Sequence, residues 1–91
     1  MNSDKKKPNK EPIIDTEIAL KLMGERIKQL RIKKGYTSYE YFAYDHNISR
    51  AQFGRYEKGH DLLFSTLVKV INSLEVSLAD FFSEGFDEIK K

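Results

Sequence analysis

The stretch from Ser49 to Gly59, SRAQFGRYEKG, holds the side chains best suited to specific recognition. Set on a helix at about 100° per residue, Phe53 and Tyr56 mark one side. Ala51 and Lys58 lie opposite, Gly54 and Arg55 flank them, and Arg50 sits in the first turn. That outer face would present two guanidinium groups and an ammonium, with small residues between them. An arginine fork fits the N7 and O6 acceptors of guanine and discriminates by about 1–3 kcal/mol, and Gln52 at the edge of the face can pair with adenine in a similar two-bonded way. Gly54 costs about 1 kcal/mol relative to alanine inside a helix, which implies close approach by something outside the chain. Cationic helix faces are more often simply solvated, so the surrounding pattern has to decide.

Other chemistry finds less support. Gly54 to Gly59 has the glycine spacing of a phosphate-binding loop, but His60 and Asp61 stand where lysine and serine or threonine are required. His46 and His60 belong to no metal-ligand motif. With no cysteine, neither a thiolate metal site nor a disulfide can form. His46 falls at a core-facing spacing and reads as a half-buried structural histidine at a helix end. No serine elbow and no apolar carboxylate pair is present. The sequence predicts no enzyme, no cofactor and no metal.

The elements that would position the cationic face follow from caps and periodicity. Asp15 or Thr16 can cap a first helix of about 16–34, whose stripe is Leu20, Met23, Ile27 and Leu30 and whose stop is Gly35. Thr37 or Ser38 caps a second helix of about 39–46 with Phe42 and Ala43 inward, and Asn47 ends it in the left-handed conformation. Ile48 fills the turn. Ser49 caps a third helix of about 50–57, closed by Gly59. A fourth, about 64–74, carries Phe64, Leu67, Val70, Ile71 and Leu74. Ser77 and Asp80 form an S-x-x-D capping box opening a short fifth helix with Leu78, Phe81 and Phe82. No strand-like alternation appears, so the fold is expected to be all-α. Residues 1–14 read as a mobile basic arm, 15–83 as the folded domain and 84–91 as a short acidic tail.

Two short helices joined by a three- to four-residue turn make a helix-turn-helix. The stretches Met23–Arg31, Phe42–Ala43, Ile48–Arg50, Tyr56–Gly59 and Leu74–Leu78 together resemble the phage-repressor and Cro-type helix-turn-helix family, also called XRE. The resemblance covers about 60 residues and implies a five-helix, lambda-repressor-like DNA-binding domain that acts as a dimeric transcription regulator. It places the recognition helix on Ser49–Lys58, with Arg50, Ala51 and Arg55 at base-contacting positions beside Gln52. Thr37, Ser38, Tyr39, Ser49 and Lys58 are the expected contacts to the DNA backbone. It also implies a structural ion pair between Arg31 and Glu57. The chain departs from the family pattern in a longer link before helix 2, a shorter loop after Gly59, His46 where leucine is common, and aromatics at Tyr39, Tyr41 and Tyr44. These departures bear on the helix 2 phosphate contacts more than on the recognition face.

Composition agrees with a small soluble domain of 91 residues, 40% hydrophobic and 33% charged. The net charge of +2 conceals an asymmetry: residues 1–35 sum to +5, 36–60 to zero and 61–91 to −3. A basic end suits a polyanion, and Lys5, Lys6, Lys7 and Lys10 in the arm can add phosphate or minor-groove contacts. The expected partners are double-stranded DNA and a second copy of the chain, with Phe81, Phe82 and Phe86 as the candidate dimer surface, rings that would serve equally well to close the core. An antitoxin- or adaptor-type protein-interaction module, with a toxin or another regulator as partner, is the alternative. No apolar run is long enough for a membrane span and no secretory signal is evident, so the default location is the cytoplasm.

Overall fold

A computed structural model of the chain describes residues 13–87, and among these it is all-α. Five helices follow in order: α1 (Thr16–Lys33), α2 (Tyr39–Asp45), α3 (Arg50–Glu57), α4 (Phe64–Leu74) and α5 (Leu78–Phe81). The arm lysines Lys5, Lys6, Lys7 and Lys10 and the last four positions lie outside the described residues.

Local chemistry starts and stops these helices. The side chains of Asp15, Ser38, Ser49 and Ser77 each accept a hydrogen bond from a backbone N–H in the first turn of the helix that follows. Each satisfies a donor that the helix itself cannot. α1 and α2 stop one residue short of expectation, with Lys34 and His46 as C-caps. The chain then turns away through left-handed residues, Gly35 after α1, Asn47 after α2 and Gly59 after α3. At each turn an amide reaches back across the helix end: Tyr36 to Arg31, Ile48 to Ala43 and His60 to Arg55.

All five helices contribute to one core. Met23, Ile27 and Leu30 of α1 meet Phe42 and Ala43 of α2, Phe53 of α3, Leu67, Val70, Ile71 and Leu74 of α4, and Phe81 of α5. Phe42 and Phe53 stack with ring centroids 5.1 Å apart and lock α2 against α3. Burying each such ring contributes roughly 1.5–3 kcal/mol. Phe64, expected on the α4 stripe, is exposed. It is the first residue of α4, where a side chain leans toward the N-terminal end and past the packed turn.

Two features at α1 bring distant segments together. Gly24 lies where α1 crosses the end of α3: a β-carbon there would sit 2.6 Å from the Glu57 carbonyl oxygen and 2.7 Å from that of Tyr56. Arg26 is buried and ties down the chain beyond α5. Its Nε donates to Phe81 O and its Nη2 to Asp80 O, both at 2.7 Å, and its Nη1 donates to Gln29 and reaches Glu84. Glu84 thus reaches Arg26 from an exposed position, and Phe86 packs on the core, although the sequence boundary at 83 leaves both in the tail. Phe86 is half-buried, beside Phe81 and Phe82.

The expected dimer surface needs correction on the same ground. Phe81 is 0% exposed, held between α4 and its aromatic neighbours, and cannot be part of any surface. Phe82, the C-cap of α5, is 46% exposed, and Leu78, the first residue of α5, is exposed as well.

Candidate nucleic-acid interface

The placement of α3 is set from behind. Phe53 is fully buried and Tyr56 half-buried, so the opposite side of the helix faces out. Behind its C-terminal end, Arg31 Nε donates to Glu57 Oε2 at 2.7 Å and Arg31 Nη2 donates to Glu57 Oε1 at 2.9 Å. The third guanidinium nitrogen, Nη1, donates to Tyr36 O at 2.8 Å. Both side chains are under 10% exposed, at 4% and 8%. A two-bonded arginine–carboxylate pair fixes orientation as well as distance, so α1 holds the end of α3 rigidly.

On the outer side, Arg50, Ala51, Gln52, Arg55 and Lys58 are all exposed, and Arg55 Nη1 donates to Gln52 Oε1 at 3.4 Å. Gly54 behaves differently from the expectation. It is buried, and a β-carbon there would meet the Tyr39 ring at 2.9 Å. The close approach that a glycine permits is internal, by a side chain of α2. Tyr39 is consequently half-buried with its ring laid over Gly54, which leaves it less reach toward a phosphate than an outward side chain would have.

Of the other expected backbone contacts, Ser49 is exposed and its hydroxyl caps α3. Thr37 is exposed just ahead of α2, and Ser38 is half-buried with its hydroxyl accepting from the Glu40 and Tyr41 amides. Lys58 is the C-cap of α3, at the far end from Ser49. Ser38 and Arg50 share the rim of an open cleft of about 470 Å³, with Glu40, Tyr41 and Tyr44. Tyr41 and Tyr44 are 69% and 76% exposed, so these rings do not serve the core. The signal for them was present on the α2 wheel. Phe42, Ala43, Tyr39 and His46 cluster on one side, and positions 41 and 44 fall opposite.

His46 closes α2. Its Nδ1 lies 2.8 Å from Phe42 O, and because a carbonyl only accepts, Nδ1 carries the hydrogen. The ring stacks on Phe42 at 4.2 Å. Nearby, Tyr36 Oη donates to Asp45 Oδ2 at 2.8 Å, and that hydrogen bond raises the phenol above its ordinary pKa. Together these contacts brace the turn from α2 into α3. Among the described residues no group of three His, Cys, Asp or Glu side chains could hold a metal ion, and no helix is long and apolar enough to cross a membrane. No known protein family, curated protein or solved structure matches this chain.

Proposed function

We propose that the chain is a sequence-specific double-stranded DNA-binding regulator of the phage-repressor and Cro type, built on a lambda-repressor-like helix-turn-helix. α3 enters the major groove, where an α-helix fits and each base pair shows its own donor and acceptor pattern. The observation that carries this reading is the division of α3 into a locked inner side and an outer side of Arg50, Ala51, Gln52, Arg55 and Lys58. In the proposal Arg50 and Arg55 read guanine, Gln52 reads adenine and Ala51 meets a thymine methyl. Ser49, Thr37, Ser38 and Lys58 hold phosphates, with Tyr39 contributing through the edge left exposed. The protein acts as a dimer through Leu78 of α5 and Phe82 at its C-cap, so that two recognition helices reach half-sites about 34 Å apart.

Selection of bound duplexes from a random pool, followed by salt titration, tests the reading. A regulator of this kind enriches a defined half-site and its affinity falls steeply with salt as phosphate counterions are released. Arg55→Ala relaxes preference at one base position, whereas Lys58→Ala weakens all sequences alike and lowers the salt slope by about one. Unchanged duplex affinity in both variants overturns the reading.

One observation favours a second reading, the protein-interaction module. The cleft of Tyr41 and Tyr44 beside Arg50 has the tyrosine and arginine content typical of protein–protein contact sites. Under that reading Tyr41→Ala and Tyr44→Ala abolish partner capture while duplex binding is absent from the start.

A further inference from the structure

The recognition face carries an internal contact that changes how it would read a sequence. Arg55 Nη1 donates to Gln52 Oε1 at 3.4 Å. Arginine has donors and no acceptor, so the atom of the Gln52 amide that faces it must be the oxygen. In this arrangement Oε1 faces Arg55 and Nε2 points away from it. The oxygen keeps a second lone pair and the nitrogen keeps both hydrogens. Arg55 keeps the guanidinium N–H groups that the contact does not use.

Resting on the DNA-binding reading above, we propose that Gln52 and Arg55 read two neighbouring base pairs as one coupled unit, in which Gln52 is the positioning residue that aims Arg55. Residues three apart on a helix stand one above the other, with a rise of about 4.5 Å between them. In the proposal two side chains this close on one helix face address neighbouring base pairs, which stack about 3.4 Å apart. Arg55 takes the N7 and O6 acceptors of guanine. Gln52, with its oxygen lone pair and amide hydrogens already turned, takes N6 and N7 of the adjoining adenine. The contact orders two long exposed side chains before DNA arrives, and such preorganisation raises affinity for the geometry it matches. Gln52 and Arg55 are exposed, so substitutions there leave the core of Phe53 and the Arg31–Glu57 clamp untouched.

The test measures binding of the selected duplex, and of duplexes changed at each of the two base pairs, by fluorescence anisotropy. It compares the wild type with Gln52→Ala, Gln52→Glu, Arg55→Ala and the double variant Gln52→Ala/Arg55→Ala. Coupled reading predicts that Gln52→Ala relaxes preference at both base pairs, with guanine preference falling about threefold or more although Arg55 is intact. Gln52→Glu, whose carboxylate still holds Arg55, restores the guanine preference and moves the adjoining preference from adenine to cytosine. The double variant then loses less than the two single losses combined. If Gln52→Ala leaves guanine preference at wild-type strength, the side chains read independently and the coupling is overturned while DNA binding stands. If no duplex is enriched and none binds, the DNA-binding reading fails and the coupling goes with it.

Discussion

Arg31, in the last turn of α1, and Glu57, the last residue of α3, meet through two parallel hydrogen bonds while nearly sealed from solvent. The pair sets the tilt of α3 relative to α1, because its planar fork admits one arrangement. A third bond from Arg31 to Tyr36 O ties the same guanidinium to the link that leads into α2. One side chain thus bears on both helices of the α2–α3 unit.

Removing one partner leaves the other charge buried without its counterion, at a cost of about 3–5 kcal/mol. Arg31→Met and Glu57→Gln are each expected to lower the unfolding midpoint by well over 10 °C, since about 1 kcal/mol moves a domain of this size by roughly 4–8 °C. Replacing both together costs less than the sum, because no isolated charge remains. Calorimetric midpoints for the four proteins of this cycle check the claim, and strict additivity would remove the pair's structural role.

The two buried glycines respond differently to a methyl group. At Gly24 the obstacle is backbone, the carbonyl oxygens of Tyr56 and Glu57. Gly24→Ala therefore forces α1 and α3 apart and is expected to destabilise by about 1–3 kcal/mol despite alanine's better helix propensity. At Gly54 the obstacle is the Tyr39 ring, which can swing. Gly54→Ala is expected to stay within about 1 kcal/mol of wild type, the propensity gain offsetting the displaced ring. Urea unfolding of both variants decides it, and equal losses would mean that Tyr39 is as immovable as the α3 backbone.

How much of this was legible in the sequence depended on the range of the interaction. The caps Ser49 and Ser77 and the stops Gly35, Asn47 and Gly59 act within a few residues and stand where the local pattern put them, and of the two candidates at each of the first two helices Asp15 and Ser38 do the capping. The roles of Phe81 and Arg26 are not legible locally because their partners are remote. Phe81 reads equally well as a surface ring or a core ring until α4 closes over it. Arg26 looks like one more solvated cation until its acceptors, Asp80 O and Phe81 O, arrive from more than fifty residues away. Gly54 gave a true signal, close approach, but nothing local could say that the visitor was Tyr39.

The exposed clip between Lys34 and Glu75 is expected to make stability slightly sensitive to acid. Lys34 Nζ donates to Glu75 Oε1 at 2.9 Å, and that bond, with the lysine charge behind it, holds the carboxyl below its ordinary range. A carboxylate whose pKa is lower in the folded state supports the fold above its unfolded pKa, and the support is lost as pH falls through the folded value. Glu75→Gln keeps the left-handed backbone at this position and removes only the charge. Wild type is expected to exceed this variant slightly near neutral pH, less so in high salt, and not at all in acid below the carboxylate range. Thermal midpoints across that pH series check the sign, and a gap that widens in acid would reverse it.

Adjacent phenylalanines at the end of α5 are expected to differ in role, Phe81 supporting the fold and Phe82 the proposed dimer. Phe81 is fully buried against α4, so Phe81→Ala empties a ring-sized space and is expected to cost about 3–5 kcal/mol. Phe82 touches the Phe81 and Phe86 rings but keeps nearly half its surface in solvent, beside exposed Leu78. Truncating it removes part of a rim rather than the core, so the Phe82→Ala loss is expected to stay below about 1.5 kcal/mol. If Leu78 and Phe82 form the dimer contact, Phe82→Ala shifts the monomer–dimer equilibrium strongly toward monomer while the fold stays intact. Sedimentation equilibrium beside circular dichroism reads both quantities on one sample. A Phe82→Ala protein that stays folded and associates like wild type would overturn the proposed contact at Leu78 and Phe82. Unchanged stability in Phe81→Ala would contradict its place in the core.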